Sequence, residues 1–133
     1  MENKIVKQFQ DIISFYEKVI GESELLYQVL LERNVTEVDS LNKKTMMMGF
    51  ELKQKIEAMK KEVEKQCVLH QIEDKNLTNL FPYCSTEEVE KMMACRETAF
   101  HFEKKLKNIT KMIKCKSIAY IETSQVVKEL YCG

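Results

Sequence analysis

The sequence has almost no chain-breaking residues: three glycines and one proline among 133 positions. β-Sandwiches, barrels and doubly wound sheets need turn residues roughly every ten residues. Their scarcity excludes those folds and leaves an all-α chain of few, long helices. It also excludes a glycine-rich phosphate loop, because Gly21, Gly49 and Gly133 lie too far apart to build one. Net charge is missing as well. The 21 Lys and Arg balance 21 Asp and Glu, which removes the basic footprint of a dedicated nucleic-acid binder. Tryptophan is absent, and no run approaches the roughly 18–20 apolar residues of a membrane span. Neither nucleic-acid binding nor membrane insertion is expected. Met1-Glu2-Asn3-Lys4 leads straight into mixed polar and apolar residues, without the apolar region of a signal peptide. A cytoplasmic location is the expectation.

What is present is helical periodicity. The length suits one domain, and three helices can be read, at about 3–33, 36–70 and 86–131, with a connection over 71–85. In the first, Val6, Phe9, Ile13, Tyr16 and Ile20 recur at 3-4-3-4 spacing, and Ile5, Ile12 and Val19 widen that face. Gly21 interrupts the pattern, which resumes at Leu26, Tyr27 and Leu30, so a weak point is expected there and not an end. Thr36 can cap the second helix, with Asp39 three residues on as a variant capping box. The connection holds Pro82, and its Leu77, Leu80, Phe81 and Tyr83 are too apolar for a solvated linker. Ser85 with Glu88 forms a second start signal, and Cys84 can staple against Val89. The third stripe then runs Met92, Cys95, Ala99, Phe102, Leu106, Ile109, Ile113, Tyr120, Val127 and Leu130, a coiled-coil-like recurrence. The predicted fold is an antiparallel three-helix bundle with a long C-terminal helix. Its expected core is Phe9, Ile13, Tyr16, Met48, Leu52, Ile56, Met59, Phe102, Leu106 and Ile109.

Candidate chemistry is sparse. Cys67-x-x-His70 is half of a zinc-ligand spacing, but a closed site needs four convergent ligands and the second pair is missing. A cysteine nucleophile needs a histidine and an orienting carboxylate in a cleft, and only His70 and His101 are available. Glu97 and His101 stand four apart, not at the Glu-x-x-His spacing of di-iron bundles. No catalytic residue, metal or cofactor is expected, and the chain does not read as an enzyme. The five cysteines are odd in number and widely spaced, and read as small hydrophobes and not a disulfide framework. Met46, Met47 and Met48 cannot all share one face of a helix. At least one of Met46 and Met47 must then be exposed or cover the connection, and gap filling and partner contact both remain open.

The most informative feature is length. At 1.5 Å per residue the third helix would be on the order of 70 Å long, against about 45–50 Å for the other two. An amphipathic helix end without an intramolecular partner needs an external one. In order, lengths and local patterns the chain resembles the FlgN-type flagellar export chaperones. The resemblance rests on Leu25-Leu26-Tyr27-Gln28-Val29-Leu30 before Glu37-Val38-Asp39-Ser40-Leu41, and on Asn76-Leu77-Thr78-Asn79-Leu80 in the connector. Ile113, Ser117-Ile118, Ile121 and the terminal Tyr131-x-Gly133 resemble that family's ending, although Thr110 stands where the ending opens on asparagine. The resemblance implies a cytosolic chaperone that binds the C-terminal helical segments of hook–filament junction proteins. It keeps these hook-associated flagellar proteins unpolymerised and docks to the export apparatus. Carried onto this chain, the client-binding residues would be Ile113, Ser117, Ile118, Tyr120, Ile121, Val127, Leu130 and Tyr131. A FliT-like chaperone of type III secretion, or a dimerising coiled-coil scaffold or adaptor, is the alternative. A homodimer is compatible with either.

Overall fold

The computed structural model describes residues 3–132, and the side chains of residues 3–117. The protein is an all-α helical bundle, with no strand among the described residues. Three long helices, α1 (Lys4–Leu31), α2 (Val35–Leu69) and α4 (Thr86–Cys132), run up, down and up. Between the last two lie a single turn, α3 (Leu77–Leu80), and a 3-10 turn over Phe81–Tyr83. Helix starts follow the capping residues. Asn3 Oδ1 accepts from the amides of Ile5 (2.9 Å) and Val6 (3.3 Å). Ser85 Oγ accepts from the Glu88 amide (3.1 Å), and the Glu88 carboxylate accepts from the Ser85 amide (2.9 Å). This completes the expected capping box. The second helix departs from expectation. Asn34, not Thr36, is its cap, accepting from the Glu37 amide, and the helix begins at Val35.

The helix ends explain that shift. Arg33 and Gln71 take left-handed φ values of 57° and 58°. The Asn34 amide then donates back to Val29 O and the Ile72 amide to Cys67 O, the closing bond of a Schellman motif. Both motifs form without the glycine that usually marks them. The chain therefore leaves α1 and reaches a cap within three residues, which pulls the start of α2 back from Thr36. Gly21 does not end α1, which continues through it.

Register is set by ion pairs as well as apolar contact. Lys4–Glu62 (3.5 Å), Asp11–Lys55 (2.8 Å) and Glu22–Lys44 (3.0 Å) tie α1 to α2. From one bridge to the next α1 advances by seven and then eleven residues, and α2 retreats by the same steps. Seven and eleven are two and three turns, so the pairs stay on one antiparallel seam. On the other flank Glu24 meets Lys105 at 3.4 Å, and the Tyr16 and Phe102 rings lie 6.3 Å apart. Here the partners climb together, so α4 runs parallel to α1.

Flanked on both sides, α1 is the buried element, covered from Ile5 to Leu30. One core cluster lies at the end where the connector sits. Ile5, Val6, Val63, Cys67, Leu80 and Met92 are buried together there, with Ile72, Leu77, Phe81 and Cys84 against them. The connector thus folds back as its apolar residues require, although Tyr83 stays exposed and stacks on His70 (4.1 Å). The second cluster, mid-bundle, joins Ile12, Tyr16, Val19 and Leu52 to half-buried Met48, Ile56, Ala99, Phe102 and Leu106. Of the expected core, Phe9, Tyr16 and Leu52 are fully buried. Ile13, Met48, Ile56, Met59, Phe102, Leu106 and Ile109 are half-buried. The reason is geometric: α2 and α4 each pack on α1 far more than on one another, so the seam between them stays partly open.

Candidate functional site

Burial falls away along α4. Met92 is fully covered by the first cluster. Beyond it Cys95, Ala99, Phe102, Leu106, Ile109, Ile113 and Ser117 are each half-buried, at the spacings of one helix face. At the Met92 end the connector closes over the stripe; further on, among the described residues, α1 and α2 flank it. The helix itself continues to Cys132. By rise alone α1 is about 42 Å long, α2 about 52 Å and α4 about 70 Å. Because α4 starts beside the start of α1, where Asn3 Nδ2 approaches Cys84 Sγ at 3.8 Å, the excess falls at its C-terminal end.

Of the site residues expected from sequence, Ile113 and Ser117 lie on this stripe and remain partly accessible. Ile118, Tyr120, Ile121, Val127, Leu130 and Tyr131 lie outside the described side chains. The structure adds the preceding turns to the same face. Phe102, Leu106 and Ile109 read as core in the sequence because they carry its periodicity. Periodicity reports which face is apolar, not how much of it a neighbour covers.

The groups that carry chemistry are dispersed. Cys67 is completely buried, and its thiol reaches toward Asn76 O (3.7 Å), whereas His70 stacks on Tyr83. The two halves of the Cys-x-x-His spacing thus face different surroundings. Among the described residues no three His, Cys, Asp or Glu side chains converge as metal ligands would. Burial raises the pKa of the Cys67, Cys84 and Cys95 thiols, and the thiolate is the nucleophilic and metal-binding form. A cleft of about 410 Å³ opens between the start of α1, the end of α2 and the connector, lined by Asn3, Gln66, His70, Tyr83, Cys84 and Glu88 among others. Beside it Glu62 is nearly covered. Its carboxylate accepts from Gln66 Nε2 (3.0 Å) and faces Lys4, and these two contacts hold its pKa below the usual range. Glu62 therefore fastens α2 to α1 as a charged, satisfied group and has no proton to give at neutral pH.

A second apolar surface lies on α2. Met46, Met47 and Phe50 are 67%, 73% and 63% exposed. The outcome for the methionine run is thus divided: Met48 packs in the bundle, and Met46 and Met47 do not. Phe50 joins them unforeseen. Its signal was available, since it stands two residues from core-facing Leu52 and so on the opposite side of the helix.

No family model, curated protein or solved structure matches this chain. Among the described residues no helix is long and apolar enough to cross a membrane.

Proposed function

We propose that this protein is a cytoplasmic export chaperone that captures an amphipathic helix of its client on the open stripe of α4. The observation that carries the reading is the helix that outruns both its neighbours while its apolar spacing continues. Half-buried Leu106, Ile109, Ile113 and Ser117 would form the inner part of the surface. Ile118, Tyr120, Ile121, Val127, Leu130 and Tyr131 would extend it. The resemblance to FlgN-type chaperones supplies the client class: C-terminal helical segments of hook–filament junction proteins, held unpolymerised until delivery to the export apparatus. Helix-in-groove capture suits such a client, because an amphipathic segment that polymerises through its apolar face is silenced by covering that face.

Burying four or five apolar side chains would contribute roughly 6–12 kcal/mol gross, at about 1.5–3 kcal/mol each. Ordering and lost translational freedom offset much of it, leaving a micromolar-to-nanomolar Kd. The test is fluorescence anisotropy with the full chain and a labelled C-terminal segment of a hook–filament junction protein. Replacing Ile113, Ile121 and Val127 with Asp should abolish binding while the bundle stays folded, its thermal midpoint falling by several degrees through half-buried Ile113. Unfolding of the whole protein by that triple replacement would return the end of α4 to the core. Undiminished binding would place the surface elsewhere. A scaffold that dimerises through the length of α4 would instead lose its dimer.

A further inference from the structure

Among the described residues the outer face of α2 has no neighbour in the bundle. Leu41, Thr45, Met48, Leu52, Ile56, Met59 and Val63 mark the inward side, and Phe50 stands about 200° round from Leu52 at 100° per residue. Three large apolar side chains, Met46, Met47 and Phe50, are gathered there in under two turns and more than half exposed. A contiguous patch of that kind on an otherwise Lys- and Glu-rich face marks a protein contact.

The charges around it identify the partner. Seven residues before Phe50 is Lys43, and seven after it is Glu57; eleven before is Asp39, and eleven after is Lys61. All four are exposed, and steps of seven and eleven keep them on the face of Phe50. Reversing the chain direction about Phe50 therefore exchanges each charge for one of opposite sign. We propose that this face is a homodimer interface, in which α2 packs antiparallel on α2 of a second copy with Phe50 at the two-fold axis.

In that arrangement Phe50 meets Phe50 of the second copy. Lys43 meets Glu57, Asp39 meets Lys61, and each pair occurs twice, as an isologous contact requires. The Met47 side chain lies against the aliphatic stem of Lys53, three residues to either side of the axis. Met46 and Met47 give the centre an adaptable apolar filling, and the charges form a polar rim. The Asp39–Lys43 (3.3 Å) and Glu57–Lys60 (3.7 Å) pairs already present in each chain would join the rim. Parallel packing would set each charge against its own copy, which is repulsive at every position. From Asp39 to Lys61 the strip rises about 33 Å, long enough for a helix-pair interface. It uses neither α4 nor the client surface, so its failure and that of the chaperone reading are separate events.

Sedimentation equilibrium of the full chain at low salt tests it. The expected result is a reversible dimer with a micromolar Kd that weakens as salt screens the rim. Phe50→Asp should weaken it by about 30-fold or more, as removal of a central anchor does. Lys43→Glu or Glu57→Lys alone should each weaken it by about tenfold, since each spoils two pairs. The two replacements in one chain restore opposite signs across the axis and should recover dimerisation to within about threefold of the parent. Circular dichroism at monomeric concentration should show every variant folded. A parent that stays monomeric to millimolar concentration overturns the proposal and gives the patch to another protein. A dimer indifferent to Phe50→Asp overturns the interface, and failure of the double reversal to rescue overturns the antiparallel register.

Discussion

If α4 is core at one end and open surface at the other, equal truncations along its stripe must have unequal costs. Met92 is 0% exposed, packed with Ile5, Val6, Val63, Cys67 and Leu80. Met92→Ala leaves a cavity that three elements would have to move to close, and such truncations cost about 2–5 kcal/mol. Ile113 is half-buried on the same face. Ile113→Ala removes methyl groups that water already reaches in part. At about 0.8 kcal/mol per fully buried methylene its cost should be near 1 kcal/mol. For a chain of this length one kcal/mol moves the thermal midpoint by about 3–5 °C. The midpoint should therefore fall by roughly 6–25 °C for Met92→Ala and by about 3–5 °C for Ile113→Ala, followed by circular dichroism at 222 nm. Affinity should rank the opposite way, with Ile113→Ala weakening a client peptide and Met92→Ala leaving it intact below its own midpoint. Equal losses of stability would mean that Ile113 is as enclosed as Met92. The open-stripe argument would then be wrong.

Gly21 and Gly49 are helical, and an added Cβ at either meets nothing within 4 Å, so Gly21→Ala and Gly49→Ala should each stabilise by about 0.5–1 kcal/mol in urea titration. Asn34→Ala should cost about 1 kcal/mol and Thr36→Ala distinctly less, because Asn34 holds the cap; the reverse order would return the start of α2 to Thr36. The folded-state pKa of Glu62 is lowered, first by Gln66 and then by Lys4, so its stabilisation is present above the unfolded value and is lost as pH falls through the folded one. Glu62→Gln should thus be less stable than the parent at pH 7, with the difference shrinking on acidification below about 4.5.

The helices and their directions were legible because each carries one apolar face and a recognisable start. The caps were less so. Two left-handed residues, Arg33 and Gln71, end helices where the sequence offers no glycine, and the cap expected at Thr36 falls on Asn34. Burial depth was not legible at all. Ile12 and Val19, on the edge of the α1 stripe, are among its most enclosed residues, because two helices flank α1 and widen the face it must cover. Phe102 and Ile109 continue a regular stripe yet stay half-open, because α4 packs on α1 far more than on α2. Spacing along a chain cannot report how many neighbours a helix will have.

The two surfaces set a limit on each other that can be measured. With Phe50 on a two-fold axis, both α2 and α4 are antiparallel to their copies, so the C-terminal ends of the two α4 helices project in opposite directions. Phe50 is 15 residues from the start of α2, about 22 Å along the axis, and the excess of α4 lies beyond that. The client surfaces of a dimer are then on the order of 60 Å apart along the axis. A single client helix cannot bridge them, and linked sites that cannot be spanned gain no effective concentration. Each chain should bind one client with the affinity it has alone. Titration calorimetry of the parent and Phe50→Asp should therefore give one client per chain and the same Kd within about twofold, although one protein is dimeric and the other is not. Tighter binding by the parent would mean that the dimer composes the client site, and that α2 and α4 present one surface in place of two.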